Sequence, residues 1–483
     1  MRKPTWVRRP LWILFLPGLV SGVTFIHAGS MPLNKDEQER VDRAIDGGVA
    51  YLKRSQGQQG GWAGPWERHT VGYAALPGLT LLECGVSADD PVIRRVAEAV
   101  RRDAPKLDFT YEIALSILFL HRLGDAKDRE LIQTLAVRLI AGQMRTGGWT
   151  YGCPFVAKKS QEEILAALHK LNPPEHGVSD AKPPAAPLEG ITVGKPPAPP
   201  AGGAPRLPPA AQAKAKASVK NDRPDGEQSL EVPAALKKLP VFRDPEQLKK
   251  QLSKGKPIDT SDNSNTQFAL LALWVAQRHG VPAHRSMNMI VRRYQSCQNL
   301  DGSWGYGFCL GGGIPERPAM TCVGLLGLAV GKGIAPTLRA GEGQKPTDLD
   351  RIRSGFLALS KNVGKPTGTW RNQPLKDLYF LWSVERVAVL YSLSTIGEND
   401  WYRWGVEMLI ANQQKRGFWT GGGYPGSSST LDTCLALLFL KRADLVPDLT
   451  AKLLLKPGEL NQTIIFRDTP AVPSGPSRNL DKP

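Results

Sequence analysis

The sequence predicts an all-α protein, an α6/α6 toroid in which six pairs of helices close into a ring. Three observations support this fold class: a motif that recurs along the chain, amphipathic segments that end in it, and more uniformly apolar segments that follow it. The chain has 483 residues, 41% of them hydrophobic. It is therefore long enough to bury one large core.

The recurring motif has the spacing Q-x-x-x-G-x-W. Its full copies are Gln56–Gly60–Trp62, Gln143–Gly147–Trp149, Gln298–Gly302–Trp304 and Gln413–Gly417–Trp419. A fifth, degenerate copy has Gly364 in the Gln position, followed by Gly368 and Trp370. Internal self-similarity of this kind indicates a repeat architecture.

Two kinds of helix alternate around the motif. The amphipathic, outer helices are predicted over about 36–55, 91–103, 128–143, 284–297, 348–363 and 400–413. The more apolar, inner helices are predicted over about 70–85, 109–123, 263–279, 319–332, 378–395 and 429–442. A helix that is apolar nearly all round is buried on every side. Stacked helical hairpins hide such inner faces, and six pairs suit closure into a ring.

The chain divides into five segments. They are 1–30, a signal peptide; 36–155, the first repeats; 156–260, a low-complexity insertion; 261–455, the remaining repeats; and 456–483, a C-terminal tail. The middle of the insertion is rich in Pro, Ala, Gly and Lys, a composition that cannot bury a core. We expect a disordered tether or spacer there, with a lid over the ring as the alternative. Short helices are predicted at its edges, at about 160–171 and 244–254.

The N-terminus indicates export. Four of the first nine residues are basic, an apolar run interrupted by Pro17 follows, and small residues occupy 28–30. This is the pattern of a secretory signal peptide. We therefore expect a periplasmic, extracytoplasmic or secreted protein that meets the membrane only if this segment stays uncleaved.

The net charge of +17 does not predict nucleic-acid binding. Much of the Lys content lies in the insertion and is not interleaved with aromatic residues, as a nucleic-acid surface requires. The six cysteines are Cys84, Cys153, Cys297, Cys309, Cys322 and Cys434. No CxxC is present, which excludes zinc ribbons and thioredoxin-type sites. Disulfides and free buried thiols both remain open.

The Q-x-x-x-G-x-W spacing resembles the QW motif of squalene-hopene and oxidosqualene cyclases. The wider pattern resembles the prenyltransferase and squalene oxidase repeat, in an exported, planctomycete-type form. Further resemblance lies in Asp262-Asn-Ser-Asn-Thr-Gln, Tyr379-Phe-Leu-Trp-Ser-Val-Glu-Arg and Asp400-Trp-Tyr-Arg-Trp-Gly. The resemblance implies a terpenoid cyclase-like toroid with inner helices around a central cavity.

The motif side chains are predicted to be structural. The Trp ring can stack on the Gln amide, and the Gly permits a tight turn at the helix C-terminus. We expect this tie between an outer helix and the following inner helix at Gln56, Trp62, Gln143, Trp149, Gln298, Trp304, Gln413 and Trp419.

The chain departs from the catalytic motifs of these enzymes. Squalene-hopene cyclases protonate an alkene with an Asp of a D-x-D-D-T-A motif. The nearest match here is Ser429-Thr-Leu-Asp-Thr-Cys, which places Leu431 at the protonating position. Protonation-driven cyclisation is therefore not expected, and neither is a cofactor. The G-C-G-E-Q site of complement-like thioester domains does not occur either.

A metal site has only partial support. Asp432 and Cys434 have the first spacing of the zinc ligands of protein prenyltransferases, but no His follows them. His69 becomes the third candidate only because a closed ring places the last repeat beside the first. The alternative is that Asp432 caps a helix, Cys434 belongs to the core and His69 lies in a loop. We expect no bound metal.

Carboxylates suggest another enzyme class. A glycan-active (α/α)6 enzyme uses two carboxyl groups across its cavity, and the candidates near inner-helix starts are Glu112, Asp262, Asp377 and Asp432. Glu385 lies inside an apolar helix, so it forms a buried ion pair or lines the cavity. Asp432 and Glu385 are the candidates for a catalytic role.

One end of the cavity is predicted from the inner-helix starts. The candidate lining residues are Glu112, Asn263, Asn265, Thr321, Tyr379, Trp382, Glu385 and Asp432. The recurring Asn and Thr also suit helix capping, and the aromatic residues also suit a core. We expect a toroid that binds a lipid-like or terpenoid, glycan or protein ligand. The alternatives are a cyclase or prenyltransferase-superfamily enzyme with an altered acid motif, and a glycan-active enzyme.

Overall fold

A computed structural model describes residues 33–66, 68–171, 232–242, 260–338, 346–365, 369–370, 373–374 and 377–453. The described chain is mostly helical, with two short antiparallel hairpins made of two-residue strands. The predicted all-α class is therefore confirmed.

Twelve helices alternate as predicted. The outer helices are α1 Lys35–Ser55, α3 Pro91–Asp103, α5 Arg129–Gly142, α9 His284–Ser296, α11 Pro346–Ser360 and α13 Trp401–Asn412. The inner helices are α2 Gly72–Glu83, α4 Thr110–Leu123, α8 Asn263–Ala276, α10 Pro318–Leu338, α12 Leu378–Leu390 and α14 Ser429–Lys441. Three further helices are α6 Lys158–Leu171, α7 Ala234–Lys237 and α15 Pro447–Leu453. Strands β1 Thr369–Trp370 and β2 Gln373–Pro374 pair, as do β3 Thr395–Ile396 and β4 Asn399–Asp400.

Two inner helices end elsewhere than predicted. The prediction carried α12 to 395, but the helix stops at Leu390. Ser392 then takes a left-handed backbone (φ 54°) and Gly397 another (φ 62°), and the hairpin of β3 and β4 follows. Helix α10 continues past the predicted end at 332 to Leu338.

Burial separates the two sets of helices. Every residue of α8 is buried, whereas α1 buries a single stripe of Val41, Ala44, Gly48 and Leu52. Helix α1 begins with a capping box, since Asn34 Oδ1 accepts a hydrogen bond from Glu37 N (2.9 Å) and Glu37 Oε2 accepts one from Asn34 N (2.8 Å). The inner helices form the core and the outer helices cover it.

The inner helices pack against one another in a fixed series. Helix α2 contacts α4, α4 contacts α8, α8 contacts α10, α10 contacts α12 and α12 contacts α14. Helix α14 in turn contacts α2, and α1 contacts both α13 and α14. The first and last helix pairs of the chain are thus in contact.

Each motif Gln joins its own turn to the next outer helix. Its Nε2 donates to the carbonyl of the motif Gly and to a carbonyl of the following outer helix, for example Gly302 O and Arg351 O, both at 2.9 Å from Gln298. The same pair of bonds forms at Gln56, Gln143 and Gln413. Each motif Gln thus joins its own turn to the next outer helix, whereas the predicted tie was to the following inner helix.

The motif Gly and Trp complete this joint. Gly302 has a left-handed backbone (φ 89°), and a Cβ there would overlap the Ser354 carbonyl of the next outer helix. Trp304 Nε1 donates to Tyr294 O (3.0 Å), ten residues back on its own outer helix. The remaining full copies repeat this indole bond at Trp62, Trp149 and Trp419. Each motif therefore fastens two outer helices and the turn between them.

The edges of the predicted insertion pack on the helical core. The predicted helix at about 160–171 is α6, which buries Ile164, Ala167 and Leu168. Leu236 and Val241 are also buried, and helix α6 contacts both α5 and α7. These edges therefore belong to the fold, which the sequence composition did not predict.

Several predictions lie outside the described residues. They concern the signal peptide at 1–30, the low-complexity middle of the insertion, the helix at about 244–254, the tail at 456–483 and Gly368 of the degenerate motif. None of the described helices is both long and apolar enough to cross a membrane.

Candidate functional site

Aromatic side chains gather where the inner helices begin. The set comprises Trp66, His69, Phe109, Tyr111, Tyr151, Tyr306, Tyr379 and Tyr424, and we call it the aromatic face. Tyr111 and Tyr379 lie in the first turns of α4 and α12. The other members lie in loops before inner helices, so the face is assembled from several repeats.

Ring contacts connect the first half of the aromatic face. The rings of Trp66 and His69 lie 6.1 Å apart, and those of His69 and Phe109 lie 4.2 Å apart. Phe109 forms a β-bridge with Gly152, the neighbour of Tyr151. The loops before α2 and α4 and the loop after α5 thus meet here.

The second half continues from Tyr151. Its hydroxyl lies 2.7 Å from the Tyr306 hydroxyl, and its ring lies 5.9 Å from that of Tyr111. Tyr379 and Tyr424 are also 5.9 Å apart. Gly426 packs directly against the ring of Trp66, because a Cβ on Gly426 would overlap that ring. The loop that carries Tyr424 therefore contacts Trp66 at the other end of the aromatic face.

Solvent reaches this surface. Trp66 and Tyr151 are each 50% exposed, and Tyr111, Tyr306, Tyr379 and Tyr424 are partly exposed. Exposed aromatic rings that carry a polar group at one edge are typical of ligand contacts. The aromatic face is therefore an accessible surface and not a sealed core.

A hydrogen-bonded network holds the centre of the face. Ser264 Oγ lies 2.6 Å from the Tyr111 hydroxyl and 2.5 Å from the Tyr379 hydroxyl. Gln267 Nε2 donates to the Tyr379 hydroxyl, and Gln267 Oε1 accepts from Arg386 Nη2 (2.5 Å). Residues of α4, α8 and α12 are thereby locked together, which fixes the tyrosine rings in place.

Two carboxyl groups lie beside Tyr379 and Tyr424. Asp377 caps α12 through Phe380 N (2.9 Å). Burial, together with the nearby charge of Asp432, raises the pKa of Asp377 to about 6. Asp432 accepts hydrogen bonds from Gly422 N and the Ser427 hydroxyl, both at 2.9 Å. Burial raises the pKa of Asp432 as well.

The remaining carboxylates of this region accept hydrogen bonds from backbone N–H groups. Glu112 accepts a hydrogen bond from Gly72 N (3.0 Å) and lies 3.1 Å from His69 Nδ1. Asp262 caps α8 through Asn265 N (2.7 Å) and also accepts from the Asn265 amide (2.8 Å). Both are buried, so neither presents a carboxylate to a ligand.

The predicted polar lining of the inner-helix starts is buried. Asn263 accepts a hydrogen bond from Arg293 Nε and donates one to Gly305 O, both at 2.8 Å. Thr321 Oγ1 accepts from Trp304 N (3.2 Å). Together with Asn265, these residues hold the helix starts to neighbouring turns. Of the predicted lining set, Tyr379 is the member that is partly exposed on the aromatic face.

Glu385 forms no ion pair among the described residues. It is fully buried on α12 and neither of its oxygens has a hydrogen-bond partner. Arg386 turns away from it and stacks on the buried Trp382, with the guanidinium carbon 3.6 Å from the ring centroid. Burial raises the pKa of Glu385 well above its usual range. The expected buried ion pair is therefore corrected to a buried carboxyl that favours its neutral form.

The three metal candidates do not form a ligand set. The described residues hold no group of three His, Cys, Asp or Glu side chains that could bind a metal ion. His69 contacts Glu112, Asp432 binds the Gly422 loop, and Cys434 is buried in α14. All six cysteines are free thiols. Of the two possibilities that the sequence left open, disulfides and free thiols, the structure has the second.

A small cavity lies away from the aromatic face. It is enclosed by apolar side chains of α8, α10 and α12 and by the loop 443–446, with Arg386 and Asp444 on its wall. It has room for only about one water molecule, far less than the roughly 300–1,000 Å³ of typical ligand pockets.

Sequence reasoning missed most of the aromatic face. Tyr111, Ser264, Gln267 and Tyr424 follow no repeat pattern. Tyr151 and Tyr306, however, each stand two residues after a motif Trp. That shared position was the available signal, because equivalent positions of a repeat lie on the same side of the structure. No protein-family model matches the chain, and no curated protein matches it.

Proposed function

We propose that the helices form a closed α6/α6 toroid of the prenyltransferase and squalene oxidase repeat type. The series of inner-helix contacts that returns from α14 to α2 supports closure. So do the contacts between the ends of the chain. Gln413 Nε2 donates to Ala44 O (2.8 Å), and Phe418 stacks on Tyr51 with ring centroids 4.9 Å apart. In this ring the aromatic face is one mouth.

We propose that this mouth binds a glycan. The observation that carries the proposal is the pair of half-exposed rings, Trp66 and Tyr151, within a surface of tyrosine hydroxyls. Flat aromatic faces pack on the C–H faces of sugar rings, while hydroxyl groups exchange hydrogen bonds with sugar hydroxyls. A shallow, accessible surface also suits a ligand that is a chain rather than a small compact molecule.

A terpenoid or other lipid fits less well. Such a ligand needs a deep apolar chamber, and the cavity between α8, α10 and α12 has room for only about one water molecule. The centre of the helix bundle is instead occupied by the Tyr379, Gln267 and Arg386 network. Leu431 at the protonating position also argues against cyclisation.

Glycan cleavage is the second candidate function. It is favoured by Asp377, a partly exposed carboxyl whose pKa is raised to about 6 beside Asp432, because a general acid needs such a pKa. Cleavage would appear as new reducing ends during incubation with a bound glycan, and Asp377→Asn would abolish it.

Export agrees with a glycan ligand. The basic, apolar and small-residue pattern of the first 30 residues supports secretion or a periplasmic location, where polysaccharides are abundant. We therefore place the protein outside the cytoplasm, with the glycan as its partner.

Binding measured against a panel of soluble oligosaccharides tests the proposal. Trp66→Ala and Tyr151→Ala should each weaken binding of the best ligand about fivefold, since loss of aromatic stacking is on the order of 1 kcal/mol. Leu357→Ala is the control, because Leu357 is 45% exposed and lies on outer helix α11. Equal loss in the control, or no binding of any glycan, would overturn the proposal.

A further inference from the structure

Two exposed arginines stand on the aromatic face. The Arg68 guanidinium lies 5.1 Å from the ring centroid of Phe109, and that of Arg317 lies 5.6 Å from the ring centroid of Tyr306. Both side chains are exposed. Within the part of the chain that the structure describes, neither forms an ion pair, and the charge of Arg317 acts on the nearby Asp377, whose pKa it lowers. A guanidinium that rests on a ring keeps its N–H edges available for a ligand.

The carboxylates nearby do not neutralise this charge at the surface. Glu112, Asp262 and Asp432 are buried and accept hydrogen bonds from backbone N–H groups. Glu316, next to Arg317, lies 3.4 Å from the Asn362 amide on the outer side. Asp377 is the partly exposed carboxyl of this surface. Among the described residues of the aromatic face, two exposed arginines therefore stand beside one partly exposed carboxyl.

We propose that the glycan is anionic and that Arg68 and Arg317 bind its carboxylate or sulfate groups. This inference rests on the proposed glycan binding and adds the chemical class of the ligand. The planar guanidinium matches a carboxylate or sulfate with two parallel hydrogen bonds. The two arginines precede α2 and α10, so they belong to different repeats and contact different sugar residues of one chain.

Paired polymers that differ only in charge test the inference. Dextran is compared with dextran sulfate, and methyl-esterified homogalacturonan with its demethylated form, by titration calorimetry of the full chain. The anionic member of a pair should bind at least about tenfold more tightly, as expected for a charge-assisted hydrogen bond. Raising the salt concentration should reduce this preference. The two pairs separate sulfate from carboxylate recognition.

Arg68→Gln and Arg317→Gln should each lower the affinity for the charged polymer towards that for the neutral one. The matched control is Arg94→Gln, because Arg94 is 64% exposed on outer helix α3 and is paired with Asp89. If charged and neutral polymers bind equally, or if the control loses as much affinity, the inference fails while glycan binding stands. If no glycan binds at all, the proposed function fails with it.

Discussion

His121 shows how a single buried side chain makes the stability of this protein depend on pH. Arg278 Nη1 lies 3.3 Å from His121 Nε2, and His121 Nδ1 lies 2.9 Å from His279 Nε2. Because the arginine donates to Nε2, the proton of neutral His121 sits on Nδ1 and is donated to His279. A second proton on His121 has no acceptor in this arrangement.

We predict that the protein loses stability between about pH 6.5 and pH 4 through His121. Burial, together with the nearby His279 and Arg278, lowers the pKa of His121 to about 4. The unfolded state therefore takes up this proton first as the pH falls, and stability is lost by up to about 3 kcal/mol.

Unfolding of the wild type and of His121→Asn as a function of pH checks this prediction. The variant should be less stable at pH 7, because it loses the bond to His279, and should show a shallower decline towards pH 4. Parallel curves for the two proteins would contradict the assignment.

At the scale of elements, the motif turns decide how one helix pair meets the next. Gly302 and Gly311 both have left-handed backbones, with φ of 89° and 82°. A Cβ on Gly302 would overlap the backbone of α11, whereas nothing lies within 4 Å of one on Gly311. Substitutions at these two positions therefore distinguish the cost of backbone strain from the cost of moving a closely packed helix.

We predict that Gly302→Ala is clearly more destabilising than Gly311→Ala. Gly311→Ala carries only the left-handed backbone penalty of roughly 1–2 kcal/mol. Gly302→Ala must also displace α11, an overpacking cost of about 1–3 kcal/mol more. Chemical denaturation of both variants measures the difference, and equal losses would show that the motif Gly serves only its own turn.

Elements were largely predictable from the sequence, and the functional surface was not. Periodicity located the twelve alternating helices because amphipathic and uniformly apolar patterns reflect burial directly. The predicted end of α12 was wrong because Ser392 and the hairpin of β3 and β4 interrupt an apolar run. The aromatic face was not predicted because its members come from loops far apart in sequence. Only tertiary packing brings Trp66, Tyr151, Tyr306 and Tyr424 together.

At the scale of the whole molecule, the two ends of the repeat series are in contact. Arg403 Nη1 pairs with Glu37 Oε1 across this seam, with the side chains 31% and 22% exposed. Arg54 also donates to the Arg416 carbonyl. A repeat array without this seam would leave α1 and α14 with uncovered apolar faces.

We predict that Glu37→Lys and Arg403→Glu each destabilise the protein and that the double variant recovers part of the loss. The coupling should be favourable but small, because a partly exposed ion pair is screened by water. Thermal unfolding of the four proteins gives the coupling directly. A coupling of zero would mean that the seam is open in solution.

The claim that loops of several repeats form one ligand-binding mouth is tested most directly by hydrogen–deuterium exchange with and without the bound oligosaccharide. Four segments should become protected together: 61–71, 149–153, 305–308 and 421–428. Outer-helix peptides from α3 and α11 should exchange unchanged. Protection of a single segment, or of the outer helices alone, would contradict the account.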